Sequence, residues 1–256
     1  MTHKAAYTAS ELLAILSARQ LKDGQVVFAG IGIPLLAATL AQRLHCPGLT
    51  ILFEGGVVGA FVEAGKLPPS TNDQRCTVRA NMVLSSADVL LLLQRGYVDV
   101  GFMGGAQIDR YGNLNSSFIG DPSKPKTRLP GTGGGNDISS LTNMIVTMKH
   151  EKRRFVEKVD FITSPGWIRG GRTRAESGLP AGGMFRVVTD LALFGFDEQT
   201  HSLTALALNP GVTREQVQMN TGFEVEFSPD ASVTEPPTAH ELSTLRALDP
   251  DRLFIA

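Results

Sequence analysis

The stretch that decides the fold is Leu49-Thr50-Ile51-Leu52-Phe53-Glu54-Gly55-Gly56, an apolar run that ends in a carboxylate and two glycines. Its first five residues suit a strand buried on both faces, and the two glycines allow the chain to turn sharply at its end. Glu54 is then expected at the carboxyl-terminal edge of a strand, where open α/β sheets place their ligands. This position alone leaves three roles open for the carboxylate: a ribose anchor, a structural hydrogen-bond acceptor or a nucleophile.

The residues before this stretch complete a βαβ unit. Gln25 to Ala29 is typical of a strand, and Gly30-Ile31-Gly32-Ile33-Pro34 leads into a helix that extends through His45. Such units pair their strands in parallel with a right-handed crossover. The glycine loop and Glu54 are therefore expected at the same edge of the sheet.

The spacing Gly30-x-Gly32 followed by Glu54 imitates a dinucleotide-binding fingerprint. Leu35 stands where the third glycine of that fingerprint belongs, and its side chain blocks the usual close approach of helix and strand. We therefore favour an anion or acyl site over nicotinamide or flavin binding, with a purely structural loop as the alternative.

Local signals predict the remaining elements. A capping box from Thr8 to Glu11 begins a helix from about Ala9 to Leu21, and two further boxes begin helices at Thr213 and Thr238. Ser86 is expected to cap a helix that runs to about Arg95 and stops at Gly96. Strands are predicted at Val98 to Met103, Asn143 to Met148, Asp160 to Thr163, Arg186 to Asp190, Leu193 to Phe196, Leu203 to Leu208 and Phe223 to Phe227. A tight turn is predicted at Tyr111-Gly112-Asn113 and a long loop from Ser164 to Gly183. The irregular stretch from Val57 to Ala80 is predicted to be a loop on the active-site side, with Pro68 to Asp73 as its most turn-like part.

Composition limits the class of protein. With 256 residues, 42% of them hydrophobic and 19% charged, the chain can bury a sizeable core, as one large domain or two small ones. No linker clearly divides the sequence, so we expect one domain over residues 1–256. A net charge of −1 provides no general field for nucleic acid or anionic lipid. Two cysteines and no secretory signal favour the reducing cytoplasm. Apolar runs such as Val89 to Leu93 are much shorter than the roughly 20 residues that span a bilayer, so no membrane segment is predicted.

Two polar regions are candidates for chemistry. Gly131 to Asn136 holds four glycines among six residues and can bring successive backbone N–H groups to one developing negative oxygen, although a flexible surface loop has the same composition. Just upstream, Lys124, Lys126 and Arg128 can hold phosphates or a carboxylate, although such charges are more often merely solvated. The same two interpretations apply to the charged run from Lys149 to Arg154. The histidines and cysteines have no metal-ligand spacing, so no metal site is expected.

Several motifs together resemble those of the class I CoA-transferases, and in particular the β subunit of the glutaconate enzyme. The resemblance covers nearly the whole chain. In order, the motifs are Phe53-Glu54-Gly55-Gly56, Gly104 to Asn113, Lys126-Thr127-Arg128, Gly131 to Asn136, His150 to Phe155 and Thr163-Ser164-Pro165-Gly166-Trp167. The resemblance implies an α/β fold with an open, mainly parallel sheet, helices on both faces and a C-terminal antiparallel addition.

The resemblance also implies a reaction and a set of site residues. Glu54 would attack an acyl-CoA thioester and carry the glutamyl-CoA intermediate, while Gly133 and Gly134 match the glycines of the oxyanion loop. No permanently bound cofactor is implied, because coenzyme A is a substrate. Residues implied in binding the substrate or coenzyme A are Gly30, Gly32, Gly55, Gln107, Lys126, Arg128 and Asn136.

One residue departs from the family pattern. Serine or asparagine commonly follows the glutamate in this family, whereas Gly55 stands here. The length matches one subunit, so a homologous α subunit is expected to complete the active site and act with it on acyl-CoA and carboxylate substrates. The alternatives are an acyl-CoA hydrolase acting on a ring or dicarboxylic intermediate, in which Glu54 activates water, and a non-catalytic partner subunit.

Overall fold

The computed structural model describes residues 7–180 and 182–256; position 181, within the predicted Ser164 to Gly183 loop, lies outside the described residues. The helices are α1 (Ala9–Ala18), α2 (Ile33–Leu44), α3 (Ser86–Gln94), α4 (Gly135–Leu141), α5 (Thr173–Glu176), α6 (Arg214–Met219) and α7 (Ala239–Leu248), with a 3-10 turn at Gln74–Thr77. The strands are β1 (Val26–Phe28), β2 (Thr50–Leu52), β3 (Val57–Val58), β4 (Met82–Val83), β5 (Val100–Met103), β6 (Gln107–Ile108), β7 (Leu114–Asn115), β8 (Phe118–Asp121), β9 (Lys124–Arg128), β10 (Asn143–Thr147), β11 (Gly183–Val188), β12 (Ala192–Phe196), β13 (Leu203–Leu208) and β14 (Glu226–Val233). None of these helices has both the length and the apolar character needed to cross a membrane.

The described residues form two compact units, each of which is considered by itself. The first unit holds residues 7–92, 97–102 and 236–256, and the second holds 93–96 and 103–235. The predicted single domain over residues 1–256 stays a prediction.

The first unit is built on a sheet with the strand order β5-β1-β2-β3-β4. Strand β1 pairs in parallel with both β2 and β5, so that Val27 lies opposite Ile51 on one side and Val100 on the other. Strands β3 and β4 extend the sheet as antiparallel partners. The predicted βαβ unit is therefore confirmed, and its parallel strands carry Glu54 toward their carboxyl ends.

Helix α2 connects the two parallel strands. Gly32, with φ of 94°, precedes its first turn, and Pro34 lies within that turn, where a missing N–H is tolerated. Leu35, which replaces the third glycine of the fingerprint, has no exposed surface and packs in the core together with Leu36 and Leu40. The residue that argued against dinucleotide binding thus contributes to the hydrophobic core.

The amino-terminal end of α1 fits a simple capping rule. Thr8 accepts a hydrogen bond from the Glu11 N–H, and the Glu11 carboxylate accepts one from the Thr8 N–H, which confirms the predicted capping box. The helix ends at Ala18, three residues before the predicted end at Leu21, although Leu21 is buried with the helix core.

The predicted cap of α3 was wrong by one residue. Ser85, not Ser86, accepts the hydrogen bond from the Asp88 N–H, and its hydroxyl donates to the Asp88 carboxylate over 2.7 Å. Adjacent serines give no sequence signal to choose between them, and the spacing to Asp88 favours the first. The predicted stop is confirmed, because Gly96 takes φ of 75° just after the helix ends.

The second unit contains a sheet with the order β14-β13-β12-β11-β10. Strands β11, β12 and β13 pair in the predicted antiparallel manner, whereas β10 pairs with β11 in parallel. A C-terminal antiparallel addition is therefore present, and the predicted open α/β class is confirmed. The last strand differs from the prediction, because β14 pairs with β13 in parallel.

Two strand predictions in this unit were wrong. The predicted strand from Phe223 to Phe227 begins only at Glu226, because the Gln218 side chain bonds the Phe223 carbonyl and the Val225 N–H that a strand would use. The described backbone at 160–163 forms no strand. The Asp160 N–H donates to the Gln107 side chain over 3.1 Å, and the Thr163 N–H makes a single backbone hydrogen bond to the Leu114 carbonyl over 2.9 Å.

Both cysteines are buried free thiols. Burial raises the pKa of Cys76 to about 11, and burial with the nearby Asp23 raises that of Cys46. Because the thiolate is the nucleophilic form, thiols with raised pKa values are poor nucleophiles. Both cysteines therefore act mainly as packing residues. Neither thiol competes with Glu54 as a candidate nucleophile.

Candidate active site

Glu54 lies in a tight turn between β2 and β3. The Phe53 N–H donates to the Val57 carbonyl over 2.9 Å, and the Gly56 N–H donates back to the Phe53 carbonyl over 3.0 Å. Gly56 takes φ of 104°, a conformation that favours glycine. These bonds fix the backbone on both sides of Glu54, which is half-buried at the carboxyl end of β2. A carboxylate on so constrained a turn has few orientations available.

The two glycines after Glu54 are required by close packing. A Cβ atom at Gly55 would lie 2.3 Å from the Thr71 carbonyl oxygen and 2.4 Å from Asn72 Oδ1. A Cβ at Gly56 would lie 2.0 Å from the Leu84 carbonyl oxygen. The segment from 68 to 73, the most turn-like part of the predicted loop, therefore packs directly on the Glu54 turn. The rest of that predicted loop is not all irregular, because it contains β3 and the 3-10 turn at Gln74–Thr77.

Gly30 and Gly32 follow β1 at the same edge of the sheet as this turn. The Ala29 N–H donates to the Leu52 carbonyl over 3.0 Å, so the chain after β1 leaves the sheet at the edge where β2 ends. No heavy atom lies within 4 Å of a Cβ built on either glycine. The first unit thus brings Gly30, Gly32, Glu54 and Gly55 to one edge, with open space at the first two.

The glycine-rich segment of the second unit forms an ordered turn that leads into α4. The Gly131 N–H donates to the Ser116 carbonyl and the Ser116 hydroxyl donates to the Gly131 carbonyl, both over 2.8 Å. Thr132 Oγ1 accepts from the Asn136 N–H over 2.8 Å. Asn136, predicted to lie in the loop, belongs to the first turn of α4, and its amide donates to the Thr163 carbonyl over 3.3 Å.

Gly133 and Gly134 occupy the centre of this turn. Gly133 is exposed with φ of 49°, whereas Gly134 is buried and precedes α4. Within residues 7–180 and 182–256 the Gly133 N–H donates to no protein acceptor. An exposed backbone donor on a fixed turn can stabilise an oxyanion without side-chain reorganisation.

Gln107 is occupied by structural hydrogen bonds. Its Oε1 accepts from Asn115 Nδ2 over 2.7 Å and from the Asp160 N–H, while its Nε2 donates to Asp160 Oδ2 over 3.2 Å. The side chain is buried, so one remaining N–H is what it can offer a ligand. Its main visible role is to join three segments of the second unit.

A cavity of about 330 Å³ lies beside Gln107. Thr127 and Leu129 line it from the β8–β9 hairpin, and Arg153 and Arg154 line it from the loop after β10. Lys126 and Arg128 alternate with Thr127 along the strand, so their side chains project from its other face into solvent. Arg153 and Arg154, which belong to the charged run singled out in the sequence and both pair with Glu151, therefore supply the charged groups at this cavity.

Asp109 and Asn113 explain much of the long polar motif between Gly104 and Asn113. Asn113 Nδ2 donates to both Asp109 oxygens, at 3.1 and 2.9 Å, and Asn113 Oδ1 accepts from the Gly166 and Ile168 N–H groups. Burial raises the pKa of Asp109 despite these hydrogen bonds. The pair holds the predicted turn at Tyr111 against the segment from Ser164 to Ile168.

A buried arginine escaped the sequence analysis. Arg174 donates to the carbonyls of Gly166, Ser139 and Ser140 over 2.8 to 3.0 Å, and burial lowers its pKa. Arg174 therefore pairs with two carbonyls in the last turn of α4 and, through Gly166, also holds the loop after Pro165. The glycine-rich loop around it, from Ser164 to Gly183, offered no local pattern that distinguishes a buried arginine from a solvated one.

The predicted site residues fall in both units. Gly30, Gly32, Glu54 and Gly55 lie in the first unit, and the others lie in the second: Gln107, Lys126, Arg128, Gly133, Gly134 and Asn136. In the part of the chain that the structure describes, no group of three or more metal-binding side chains is found. A metal-free site stays a prediction.

Comparison with known proteins finds a matching family pattern and similar subunits of known enzymes. The Coenzyme A transferase family pattern matches residues 11–220. The chain is 41% identical over 246 residues to the B subunit of 3-oxoadipate CoA-transferase from Pseudomonas knackmussii, covering 95% of this chain and 94% of that one. It is 40% identical over 157 residues to the cholesterol ring-cleaving hydrolase IpdB subunit of Rhodococcus jostii, a match that covers 59% of this chain and 60% of that one.

A solved structure agrees over the whole chain. The crystal structure of glutaconate coenzyme A-transferase from Acidaminococcus fermentans superposes with a TM-score of 0.92 at 37% identity, covering 99% of each chain. Similarity of this extent shows a shared fold and a shared family.

Proposed function

The chain belongs to the coenzyme A transferase family, and from this premise we propose that it is the subunit that carries the covalent step of CoA transfer, with Glu54 as the nucleophile. One observation carries the proposal. Glu54 is a half-buried carboxylate on a turn fixed by two backbone hydrogen bonds and by two close-packed glycines at the carboxyl end of β2. Carboxylates are weak nucleophiles, so catalysis depends on such positioning.

The proposed reaction proceeds through four balanced steps. Glu54 attacks the thioester carbonyl of acyl-CoA, the C–S bond breaks, and a mixed anhydride and CoA thiolate form. The thiolate attacks the Glu54 carbonyl of the anhydride, which releases the first carboxylate and leaves glutamyl-CoA. The acceptor carboxylate attacks this thioester and expels the thiolate, which then attacks the acceptor carbonyl and frees Glu54. No net oxidation or proton uptake occurs.

Each attack creates a tetrahedral oxyanion that needs a donor. The exposed Gly133 N–H, on its fixed turn in the second unit, is the proposed donor, together with Gly134. Binding energy from the distant nucleotide of coenzyme A can be used at the reacting carbonyl. Gly30, Gly32, Gly55, Gln107, Lys126, Arg128 and Asn136 remain the proposed binding residues, and the charged cavity with Arg153 and Arg154 is added to them.

The acyl group is proposed to be a dicarboxylate or a related acid. The relatives described above are named for 3-oxoadipate and glutaconate, and both names denote dicarboxylic acids. A screen of CoA donors against mono- and dicarboxylic acceptors tests this choice. Preference for monocarboxylates would contradict it.

We also propose a partner chain and a cytoplasmic location. The 3-oxoadipate relative is named as one subunit of its enzyme, which supports assembly of this chain with a homologous α subunit. An active site closed by a partner excludes water, to which thioester and anhydride intermediates would otherwise be lost. Purification with and without the partner tests the assembly, and full turnover by this chain alone would contradict it.

Trapping of the intermediate tests the nucleophile. The complex is incubated with acyl-CoA, treated with hydroxylamine or borohydride, and digested for mass spectrometry. A modified Glu54 peptide in the wild type, retained in the control Glu198→Gln at an exposed position, supports covalent transfer. An acyl-CoA hydrolase that activates water with Glu54, or a non-catalytic subunit, would leave the peptide unmodified. Similarity to a hydrolase subunit over 157 residues makes this distinction necessary.

A further inference from the structure

A side chain from another segment lies against the turn of Glu54. Asn72 Oδ1 is 2.4 Å from the place where a Cβ of Gly55 would stand, next in sequence to Glu54. Because position 55 has no side chain, a carboxamide from the loop occupies the space beside the turn. The approach is possible only while position 55 is glycine, since the Thr71 carbonyl oxygen lies equally close.

The backbone, and not the side chain, holds Asn72 in this place. The Asn72 N–H donates to Ser70 Oγ over 3.2 Å, and the Asp73 N–H donates to the Ser70 carbonyl over 3.1 Å. Asp73 then caps the 3-10 turn that begins at Gln74, and Cys76 anchors that turn in the core. The loop is therefore ordered without any contribution from the Asn72 carboxamide.

The carboxamide is consequently available to a ligand. Asn72 is exposed, and among the residues that the structure describes its Nδ2 donates to no acceptor. A neutral donor beside a carboxylate nucleophile suits a second carboxylate, because it adds a hydrogen bond and no charge that would pair with Glu54 and lower its nucleophilicity.

We propose that Asn72 contacts the substrate and that its Nδ2 donates a hydrogen bond to the carboxylate of the acid that enters or leaves beside Glu54. This inference rests on the proposed nucleophilic role of Glu54. The same acid-binding position serves the released carboxylate and the acceptor, since both occupy it in turn. Asn72 thereby contributes to selection of the acid and has no part in binding the nucleotide of coenzyme A.

Three substitutions separate this role from packing, and each is assayed in the complex with the partner subunit. Asn72→Ala should raise the KM for the acceptor acid by about 10- to 100-fold, the usual worth of a hydrogen bond to a charged group. Asn72→Asp keeps the shape but repels a carboxylate, so its loss should be larger. Asn72→Ser keeps a donor and should retain more activity than Asn72→Ala. Inhibition by free coenzyme A should change by less than about twofold in all three.

Gln74→Ala is the matched control, because Gln74 is an exposed amide in the same loop. If the KM for the acceptor acid in all three Asn72 variants equals that of this control while wild-type Glu54 is still labelled by acyl-CoA, the inference fails. The assignment of Glu54 as the nucleophile is then unaffected. If Asn72→Asp is fully active and Asn72→Ala loses thermal stability and activity together, Asn72 is a packing residue and the inference also fails. Absence of label on wild-type Glu54 would overturn both proposals.

Discussion

Arg246 donates from Nε to Oε1 of Glu11 over 2.7 Å, and the Glu11 side chain has no exposed surface. The second oxygen of Glu11 accepts the Thr8 N–H over 2.8 Å. One carboxylate therefore closes the first turn of α1 and joins it to α7, at the two ends of the described chain. Removing its charge should affect both elements together.

Glu11→Gln should lower the free energy of unfolding by about 1.5 to 3 kcal/mol, because a charge-assisted hydrogen bond is lost in a buried place. Burial opposes ionisation of Glu11, but the Arg246 and Thr8 hydrogen bonds outweigh it and lower the pKa below the usual 4.5. This stability is present above pH 4.5 and is lost as the pH falls through the folded-state pKa. Urea unfolding of the wild type and of Glu11→Gln at pH 7 and pH 3 measures this contribution to the free energy of unfolding. Equal losses at both pH values would show that the carboxylate charge is unimportant.

Glu54→Gln should abolish transfer while the fold is kept, because an amide matches the carboxylate in volume but cannot form the anhydride. A loss of several orders of magnitude in kcat is expected, and Glu54→Asp should also be poor because the carboxylate retracts by roughly 1.5 Å. Steady-state kinetics and circular dichroism measure the two effects. Activity of Glu54→Gln within about tenfold of wild type would refute the nucleophile.

Gly133→Val should lower kcat by about 100-fold or more, because a branched side chain is strained at φ of 49° and displaces the exposed N–H. Gly131→Ala is the control: its φ of 95° is also positive, but its N–H is bonded to Ser116 and is not offered to substrate. Thermal melts accompany the kinetics. If both variants lose thermal stability and activity together, the turn has a structural role and the Gly133 N–H is not the oxyanion donor.

His150 should make the protein less stable in mild acid. Its ring stacks on Phe155 at 3.9 Å between centroids and bonds the hydroxyls of Thr189 and Thr221, and burial lowers its pKa from 6.5 to about 3. Below pH 6.5 the unfolded chain binds a proton that the folded one excludes, so this residue lowers stability by about 1.4 kcal/mol per pH unit.

Urea unfolding between pH 7 and pH 5 measures this slope. His150→Gln should reduce the slope, whereas His240→Gln, at an exposed position, should leave it unchanged. An unchanged slope in His150→Gln would show that other groups govern the acid sensitivity.

Elements with local signals were predictable from the sequence. The capping boxes at Thr8, Thr213 and Thr238 are all present, because each depends on residues three positions apart. The βαβ unit was also predictable, since a strand, a helix and a second strand in succession favour parallel pairing of the two strands. Placement of Glu54 at the end of β2 followed directly.

Other features depend on partners far away in the sequence. The β8–β9 hairpin was missed because its second strand is charged, and Lys126 and Arg128 suggested a binding segment without indicating a strand. The close contact of Gly55 with Thr71 and Asn72 spans a stretch of loop that has no periodic pattern. The roles of Asn72 and Arg174 become visible only when their surroundings are known.

Because Cys76 is buried, its reaction with a thiol reagent can report on the opening of the loop beside Glu54. This thiol has no exposed surface, and it lies in the 3-10 turn that directly follows Asn72 and Asp73. A thiol reagent can therefore reach it only when that turn opens, so the alkylation rate measures the local opening equilibrium of the loop. Slower alkylation of Cys76 in the presence of a carboxylic acid would show, without any turnover, that the acid stabilises the closed turn.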